Sequence, residues 1–229
     1  MTAGALSGRT IVVLGGTGGL GHAVTARFAG DGASVLVADA RAPRAEHRHR
    51  GVDYVTVDAL DEDSVAAVFA ASPPPHAVVN LIGGYTPPQP LSGLDVSVLR
   101  RQLELNLVTA AIVTKHALPV LAARDGGAIV HVSSRVAVQD GANGFAYSVS
   151  KLGVVRLVEA AAAEGREQGV RVNCILPSII DTPANREAIP DAKHHQWPKP
   201  HQLAGVLAFL VSDDAILISG AAIPVYGLA

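Results

Sequence analysis

Short runs of β-branched and aliphatic residues recur along the chain and predict strands. Most of these runs lack polar residues at alternate positions, a pattern typical of strands that are covered on both faces. In chain order they are Thr10–Leu14, Ser34–Ala38, Asp53–Val57, Ala77–Leu81, Ala128–Ser133, Arg171–Leu176 and Ala221–Val225. The pattern therefore predicts a buried sheet of about seven strands.

Segments with helical spacing of apolar residues lie between these runs. They are Leu20–Ala29, Asp61–Ala71, Ser97–Leu121, Phe145–Gln168 and a last one from about His201 to Val211. Strands that alternate with helices over short connections predict a parallel sheet with helices on both faces. We therefore predict an α/β fold, a doubly wound Rossmann-type domain, and we expect it to occupy all 229 residues as a single domain.

Composition and charge narrow the class of protein. Hydrophobic residues make up 49% of the chain and charged residues 17%, which excludes a disordered tail. The net charge of −2, with no block of like charge, argues against a nucleic-acid or anionic-membrane surface. We see no secretory signal and no apolar stretch near the ~20 residues that span a bilayer. We therefore expect a soluble, cytoplasmic protein.

Cysteine and histidine usage argues against disulfide and metal chemistry. Cys174, the single cysteine, lies in an apolar run, so it is expected to be a buried small side chain. Histidines occur at positions 47, 49, 194 and 195, but no third ligand follows at a plausible spacing. We therefore expect no metal site.

A glycine-rich stretch, Gly15–Gly21, directly follows the first predicted strand and opens a helix. Glycines let a backbone approach a pyrophosphate, and a helix N-terminus offers unpaired N–H groups to the anion. Asp39 follows the second strand, where a carboxylate accepts hydrogen bonds from the ribose hydroxyls of NAD and repels a 2′-phosphate. Arg41 and Arg44 lie nearby, but neither directly follows the acid. We therefore predict NAD(H) in preference to NADP(H).

A tyrosine, a lysine and a serine form a candidate proton-transfer set. Tyr147 and Lys151 are four residues apart and share one helical face, where an ammonium stabilises a phenolate and lowers its pKa. Such a pair suits general acid/base chemistry, although the spacing alone is common by chance. Ser133 and Ser134 end a strand at the ligand-binding edge, where a hydroxyl can donate to a carbonyl oxygen or cap local backbone.

Asn106 interrupts an otherwise apolar helical segment. An unpaired buried amide costs about 1–3 kcal/mol, so this side chain needs partners. A satisfied core amide and a functional amide are both compatible with this position.

The glycine spacing Gly15-x-x-x-Gly19-x-Gly21, combined with Tyr147-x-x-x-Lys151, resembles the short-chain dehydrogenase/reductase family. The resemblance covers nearly the whole chain and selects Ser134, thirteen residues before Tyr147, as the catalytic serine. It also implies that Asn106 holds a water that links Lys151 to solvent. The implied catalytic set is Asn106, Ser134, Tyr147 and Lys151.

The same resemblance implies a cofactor-binding set. Asp58 matches the family's adenine-contacting aspartate, and Thr182 matches the threonine that holds the nicotinamide carboxamide. Asn80-Leu-Ile-Gly83 resembles the family's Asn-Asn-Ala-Gly motif, with Leu81 in place of the second asparagine. The full implied set is Gly15, Thr17, Gly18, Gly19, Leu20, Gly21, Asp39, Asp58, Ala59, Asn80, Gly83, Tyr147, Lys151, Pro177, Ile180 and Thr182.

The predicted reaction is hydride transfer between nicotinamide and the carbonyl or hydroxyl group of a small or flat substrate. The stretch 181–186 and the Gly83-Gly84-Tyr85 run resemble the NADH-linked dihydropteridine reductase branch, which does not rely on the serine present here. The short segment 183–199 with Trp197 predicts a shallow, partly open pocket. A 3-oxoacyl-thioester reductase, a dihydropteridine-reductase-like enzyme and a catalytically silent nucleotide-sensing regulator remain as alternatives.

The two long helical segments, Ser97–Leu121 and Phe145–Gln168, carry apolar and small residues beyond one core-facing stripe. A helix that is apolar on more than one side needs a second partner. Association through these helices is also the habit of the resembling family. We therefore predict a homodimer or homotetramer.

Overall fold

The seven predicted strands form one parallel sheet in the computed structural model, which describes residues 4–43, 45–71, 73–139, 142 and 144–228. The strands are β1 Thr10–Leu14, β2 Ser34–Asp39, β3 Val52–Thr56, β4 Ala77–Asn80, β5 Gly127–Val132, β6 Val170–Pro177 and β7 Ala222–Val225. Their order in the sheet is β3-β2-β1-β4-β5-β6-β7, and every neighbouring pair is parallel. The predicted α/β doubly wound fold is confirmed.

The described residues contain seven α-helices. They are α1 Gly19–Gly30, α2 Glu62–Ala70, α3 Val96–Leu103, α4 Thr109–Ala122, α5 Phe145–Gly165, α6 Pro183–Ala188 and α7 Pro200–Val211. Five of these, α1, α2, α4, α5 and α7, cover the two faces of the sheet. Successive strand side chains point to opposite faces. Val12 and Leu14 therefore pack with α2, α4 and α5, whereas Ile11 and Val13 pack with α1 and α7.

The strand order reverses between β1 and β4. The candidate residues lie at the edge of the sheet next to this reversal. Parallel strands end at a common edge, and a crevice opens where the order reverses. Leu14 at the end of β1 is in register with Ala38 of β2 and with Asn80 of β4. Asn80 in turn is in register with His131 of β5. The segments that follow these four strands therefore meet at one edge.

Helix boundaries differ from the predictions where capping or backbone geometry decides them. Asp61 is not the first residue of α2 but its N-cap, since its carboxylate accepts from the N–H groups of Asp63 and Ser64. The predicted helix Ser97–Leu121 contains a π-helical stretch, Glu104–Val108, between α3 and α4. Helix α6 was not predicted, because its six residues are too few to show a periodicity.

The combined run Val96–Ala122 is 27 residues long and meets the length and composition criteria for a membrane span. The sequence-based expectation that no segment reaches that length is therefore not met. The run forms an outer layer of the fold: α4 packs against α2 and α5, and α3 packs against α5. Cores of globular proteins contain helices of the same kind.

Candidate active site

The turn after β1 packs its backbone directly against the turn after β4. Gly15 has a φ of +79°, and a Cβ at this position would lie 2.9 Å from the backbone nitrogen of Ile82. A Cβ at Gly21 would lie 2.4 Å from the carbonyl oxygen of Gly15. These contacts explain why positions 15 and 21 of the spaced motif are glycine.

The N-terminus of α1 is open to a ligand. Its N-cap, Gly18, provides no side-chain hydrogen bond, so the first amide groups of the helix are not capped by a side chain. A Cβ at Gly19 would lie only 3.0 Å from Cγ2 of Thr182 at the start of α6. Glycine at position 19 therefore keeps open the space between the start of α1 and Thr182, and we take this space, with the turn at Thr17, Gly18 and Leu20, as the candidate crevice. Such a cradle fits a pyrophosphate.

Asp39, the last residue of β2, is tied to the glycine-rich turn. Its Oδ2 accepts a hydrogen bond of 2.9 Å from the backbone N–H of Thr17. No hydrogen bond from the described residues reaches Oδ1, which leaves that oxygen available to a ligand. Arg41 lies two residues further along, and Arg44 lies outside the described residues.

Asp58 and Ala59 form the turn between β3 and α2 at the same edge. The Oδ1 of Asp58 accepts a hydrogen bond of 3.0 Å from the N–H of Leu60, and the N–H of Asp58 donates to Oγ of Ser64. The aspartate thus holds its own turn while remaining exposed.

The two adjacent serines that follow β5 have different environments. Ser133 is buried, and its hydroxyl donates to the backbone carbonyl of Lys151 at 2.7 Å. Ser134 instead lies beside Tyr147, and its side chain lowers the pKa of the phenol. The geometry therefore brings together Ser134 and Tyr147, the pair that the sequence selected.

Tyr147 and Lys151 lie in the first two turns of α5, and burial dominates the electrostatics of both. Burial raises the pKa of Tyr147 above its ordinary value, and the nearby Ser134 side chain acts in the opposite direction. Burial lowers the pKa of Lys151 to about 8. Its Nζ donates to the carbonyl of Val132 at 3.0 Å and lies 6.0 Å from the centre of the Tyr147 ring.

The sequence predicts that Lys151 lowers the pKa of Tyr147, whereas in the structure the pKa of Tyr147 is raised. The ammonium points toward the end of β5, and the loss of water around the phenol is the largest influence on the pKa of Tyr147. Only 4% of Lys151 is exposed, so its charge is held in place by the carbonyl rather than by solvent.

Asn106 lies within the π-helical stretch and connects three segments. Its Oδ1 accepts from the N–H of Gly84 at 2.9 Å, and its Nδ2 lies within 3.0–3.1 Å of the carbonyl of Gly84, Oε1 of Gln102 and Oγ of Ser150. The amide is thus satisfied, and it fixes the turn after β4 against α5. π-Helical turns occur frequently at functional sites.

Gly83 lies directly on the candidate catalytic residues. A Cβ at Gly83 would lie 2.7 Å from both Oδ1 of Asn106 and Nζ of Lys151. Any side chain at this position would therefore displace the ammonium or the amide.

A buried hydrogen-bonded chain that the sequence did not reveal supports Asn80. Thr114 donates its hydroxyl to the carbonyl of Ala110, so it can only accept from Nε2 of His131, 2.9 Å away. The imidazole Nδ1 must then accept from Nδ2 of Asn80 at 3.3 Å, and Oδ1 of Asn80 accepts from the N–H of Ile82. Burial lowers the pKa of His131 to about 4, which keeps the ring neutral. The only sequence signal was a histidine inside an apolar strand.

Tyr85 and Gln89 border Tyr147 on the side of the turn after β4. Tyr85 is 65% exposed and meets the Tyr147 ring edge to face, with centroids 5.2 Å apart. A small cavity of about 10 Å³ lies between Gln89, Leu94 and Tyr147, enough for about one water-sized group. Oε1 of Gln89 is buried without a hydrogen-bond partner among the described residues.

The segment after β6 carries the remaining predicted cofactor residues. Pro177 ends β6, Ile180 packs against the core, and Thr182 caps α6 by accepting from the N–H of Asn185 at 3.3 Å. Trp197, predicted to border an open pocket, is instead only 5% exposed and packs against His194. The Trp197 ring is therefore buried and does not border an open pocket.

The remaining cysteine and histidine predictions concern metal and thiol chemistry. Cys174 is buried in β6, as predicted, and burial raises its pKa to about 12. His47 and His49 pack against His22, with ring centroids 4.7 Å apart in each case. In the part of the chain that the structure describes, no group of three His, Cys, Asp or Glu residues could hold a metal ion.

A parallel, doubly wound sheet with a glycine-rich turn at its switch point is typical of dinucleotide-binding proteins. The family model for short chain dehydrogenases matches residues 9–193. The chain therefore belongs to the short-chain dehydrogenase family, whose members are oxidoreductases that use a nicotinamide cofactor and act on alcohol or ketone groups of small molecules.

Named relatives of similar length support this assignment. The chain is 35% identical to cis-4-hydroxycyclohexanecarboxylate dehydrogenase of Sinomonas cyclohexanicum, over 97% of each protein. It is 29% identical to 2,5-dichloro-2,5-cyclohexadiene-1,4-diol dehydrogenase of Sphingobium indicum, over 97% of this chain and 96% of the relative. A solved short-chain type dehydrogenase/reductase from Mycobacterium ulcerans matches with a TM-score of 0.90 and 29% identity, covering 97% of this chain and 90% of that one.

Proposed function

We propose that this chain is an NAD(H)-dependent oxidoreductase in which Tyr147 exchanges the proton of a secondary alcohol or its ketone. The observation that carries the proposal is the proximity of the Ser134 side chain to the phenol of Tyr147 at the carboxyl edge of the sheet, with the buried ammonium of Lys151 one helical turn away. We further propose that residues 1–229 act as one domain.

The residues at the switch point fit a nicotinamide dinucleotide. The uncapped start of α1 and the crevice at Gly19 suit the pyrophosphate, and the free Oδ1 of Asp39 suits a ribose with both hydroxyls. A carboxylate at this position repels a 2′-phosphate, which favours NAD(H) over NADP(H). When bound, the oxidised nicotinamide supplies the hydride acceptor and a positive charge that favours the phenolate.

The chain's own residues then divide the work of proton transfer. Ser134 donates to the substrate oxygen, and the phenol of Tyr147 gives or takes the proton at that oxygen. Lys151, with a pKa of about 8, carries its proton at neutral pH and provides a positive charge next to the site. Asn106 holds Gly84 and Ser150 in place, and Gly83 leaves room for the ammonium.

We propose a six-membered carbocyclic alcohol with a second polar substituent as the substrate class. The two relatives named above act, by their names, on a 4-hydroxycyclohexanecarboxylate and on a cyclohexadiene-1,4-diol. Both compounds carry a second polar group on the ring. The unpartnered Oε1 of Gln89 beside Tyr147 supports a hydroxyl as that second group, because a hydroxyl can donate to the buried oxygen.

We also propose that the chain forms a homodimer or homotetramer through α4 and α5. Leu105 and Val108 before α4 and Leu152 on α5 are each more than a third exposed. Exposed apolar residues on neighbouring helices favour an interface. Sedimentation as a monomer at micromolar concentration would contradict this part of the proposal.

The experiment that tests the reaction compares Tyr147→Phe with Tyr54→Phe, a matched control on β3. The substrates are cis-4-hydroxycyclohexanecarboxylate and cyclohexane-1,4-diol, with NAD⁺. We expect Tyr147→Phe to lower kcat by about 10²–10⁴-fold, the range for a general acid/base, with the dissociation constant for NADH unchanged. A Tyr147→Phe enzyme that keeps its kcat contradicts the proposed role. Firm NADH binding without turnover of any cyclic alcohol or ketone would contradict the proposed reaction and favour a silent regulator.

A further inference from the structure

A second cavity lies at the opposite edge of the sheet from Tyr147. The amino ends of β1, β4, β5 and β6 meet there, and the cavity has a volume of about 230 Å³. Its charged and polar lining comprises Arg9, His76, Arg124, Asp125, Arg171 and Asp213. The six residues of β5, at about 3.3 Å each, separate the two edges by roughly 20 Å. We call this space the amino-edge cavity.

The positive charge of this cavity exceeds its negative charge. Arg9 forms an ion pair with Asp213. Among the described residues, no carboxylate lies within 4.0 Å of the nitrogens of Arg124 or Arg171. The lining therefore contains two guanidinium groups without a carboxylate partner.

Arg171 is the more deeply placed of these two groups. Only 8% of it is exposed, and Nη2 donates to the backbone carbonyl of Ser212 at 3.0 Å. Neutral carbonyls satisfy its hydrogen bonds, and the carboxylate that acts on its charge, Asp213, is already paired with Arg9. A buried charge that is only partly balanced is costly. Arg124 donates through Nη1 to the carbonyl of Pro74 at 2.7 Å, also a neutral partner.

His76 adds a neutral donor to the same cavity. Its Nδ1 accepts from the N–H of Thr10 at 2.9 Å, so the proton of the neutral ring is on Nε2. Burial lowers the pKa of His76, and the nearby charges of Arg124 and Arg9 lower it further. Donors from four separate segments of the chain therefore converge on one cavity.

We propose that the amino-edge cavity binds an oxyanion of the phosphate class, either free or as the phosphoryl group of a small metabolite. Guanidinium groups bind such oxyanions through parallel charge-assisted hydrogen bonds. The cavity is smaller than typical pockets for drug-sized ligands, which suits a compact anion. The inference concerns a site separate from the nucleotide crevice and does not rest on the proposed function.

Two substitutions with opposite expected effects test the site by calorimetric titration with inorganic phosphate at constant ionic strength. Arg124→Gln removes a charge-assisted donor and is expected to weaken binding by about tenfold to a hundredfold. Asp125→Asn removes a carboxylate that lines the cavity and is expected to strengthen binding by about twofold to fivefold. Asp125 has a φ of +65°, a left-handed conformation that asparagine tolerates, so its backbone can stay unchanged.

The matched control is Arg100→Gln, an exposed arginine on α3 that lies outside the amino-edge cavity. All titrations include saturating NADH, so that the glycine-rich turn is not available to phosphate, and thermal melts check that each variant folds. A parallel arm with glycerol 3-phosphate distinguishes a free anion from a phosphoryl group. Lack of saturable phosphate binding, binding that Arg124→Gln leaves unchanged, or tighter binding of malonate than of phosphate would each overturn the proposal.

Discussion

The hydroxyl of Ser133 donates to the backbone carbonyl of Lys151 at 2.7 Å, across the boundary between β5 and α5. This bond uses the Ser133 hydroxyl for structure and fixes the turn of α5 that carries the lysine. The next residue, Ser134, instead lies beside Tyr147 and acts on its phenol. Two chemically identical neighbours thus have separate tasks.

Substitution of each serine by alanine should separate these tasks. Ser134→Ala is expected to lower kcat by about a hundredfold, because the substrate oxygen loses a donor. Ser133→Ala should leave kcat within about threefold but remove a buried hydrogen bond worth about 1 kcal/mol, which lowers Tm by about 2–4 °C. Steady-state kinetics and calorimetric melts measure both effects. Equal losses of kcat in the two variants would contradict the assignment.

Asp39→Asn should change cofactor preference without disturbing the glycine-rich turn. The amide oxygen can still accept from the N–H of Thr17, but the negative charge that repels a 2′-phosphate is gone. We expect the ratio of kcat/KM for NADPH to that for NADH to rise at least about tenfold, since one removed charge repulsion near a dianion is worth more than about 1 kcal/mol. Asp53→Asn, on the neighbouring strand β3, is the control. An unchanged ratio would show that another residue sets the preference.

Gln89→Leu tests the proposed contact with the second substituent of the substrate. If a hydroxyl donates to Oε1, its loss should lower kcat/KM for cyclohexane-1,4-diol by about threefold to tenfold, the value of one neutral hydrogen bond. Cyclohexanol lacks the second hydroxyl and serves as the internal control, with no expected loss. A uniform effect on both alcohols would assign Gln89 a purely structural role.

His131 should make the folded state sensitive to acid. Its pKa is about 4 in the folded state against an ordinary value of 6.5, so the unfolded chain binds more protons between these limits. Stability is therefore fully present above pH 6.5 and falls as the pH drops toward 4, by about 2 kcal/mol between pH 7 and pH 5. Urea denaturation of wild type and His131→Asn at both pH values measures this.

The pH dependence of His131→Asn should be smaller than that of wild type by that amount. His201→Asn, an exposed position on α7, should retain the wild-type pH dependence. The comparison of slopes isolates His131 from His22 and His76, whose pKa values burial also lowers. Identical slopes in wild type and His131→Asn would contradict a neutral, buried imidazole.

The amino-acid sequence determined the local features of this protein. Runs such as Ile11–Leu14 and 77–79 are apolar at every position, which is the pattern of a strand with both faces covered. The spacing of Gly15, Gly19 and Gly21 and the four-residue step from Tyr147 to Lys151 are likewise local. A helix or a tight turn imposes them on neighbouring residues, so they can be recognised without knowledge of the fold.

Only the tertiary structure decided which distant residues meet and how much water they lose. Asn106 hydrogen-bonds to Ser150, 44 residues away in the chain, and Asn80 hydrogen-bonds to His131, 51 residues away. The pKa of Lys151 falls to about 8 because surrounding segments bury it. Arg124 and Arg171 share a cavity because four strands begin at one edge. Periodicity encodes which face of an element is buried, whereas partners and desolvation depend on how all the elements pack.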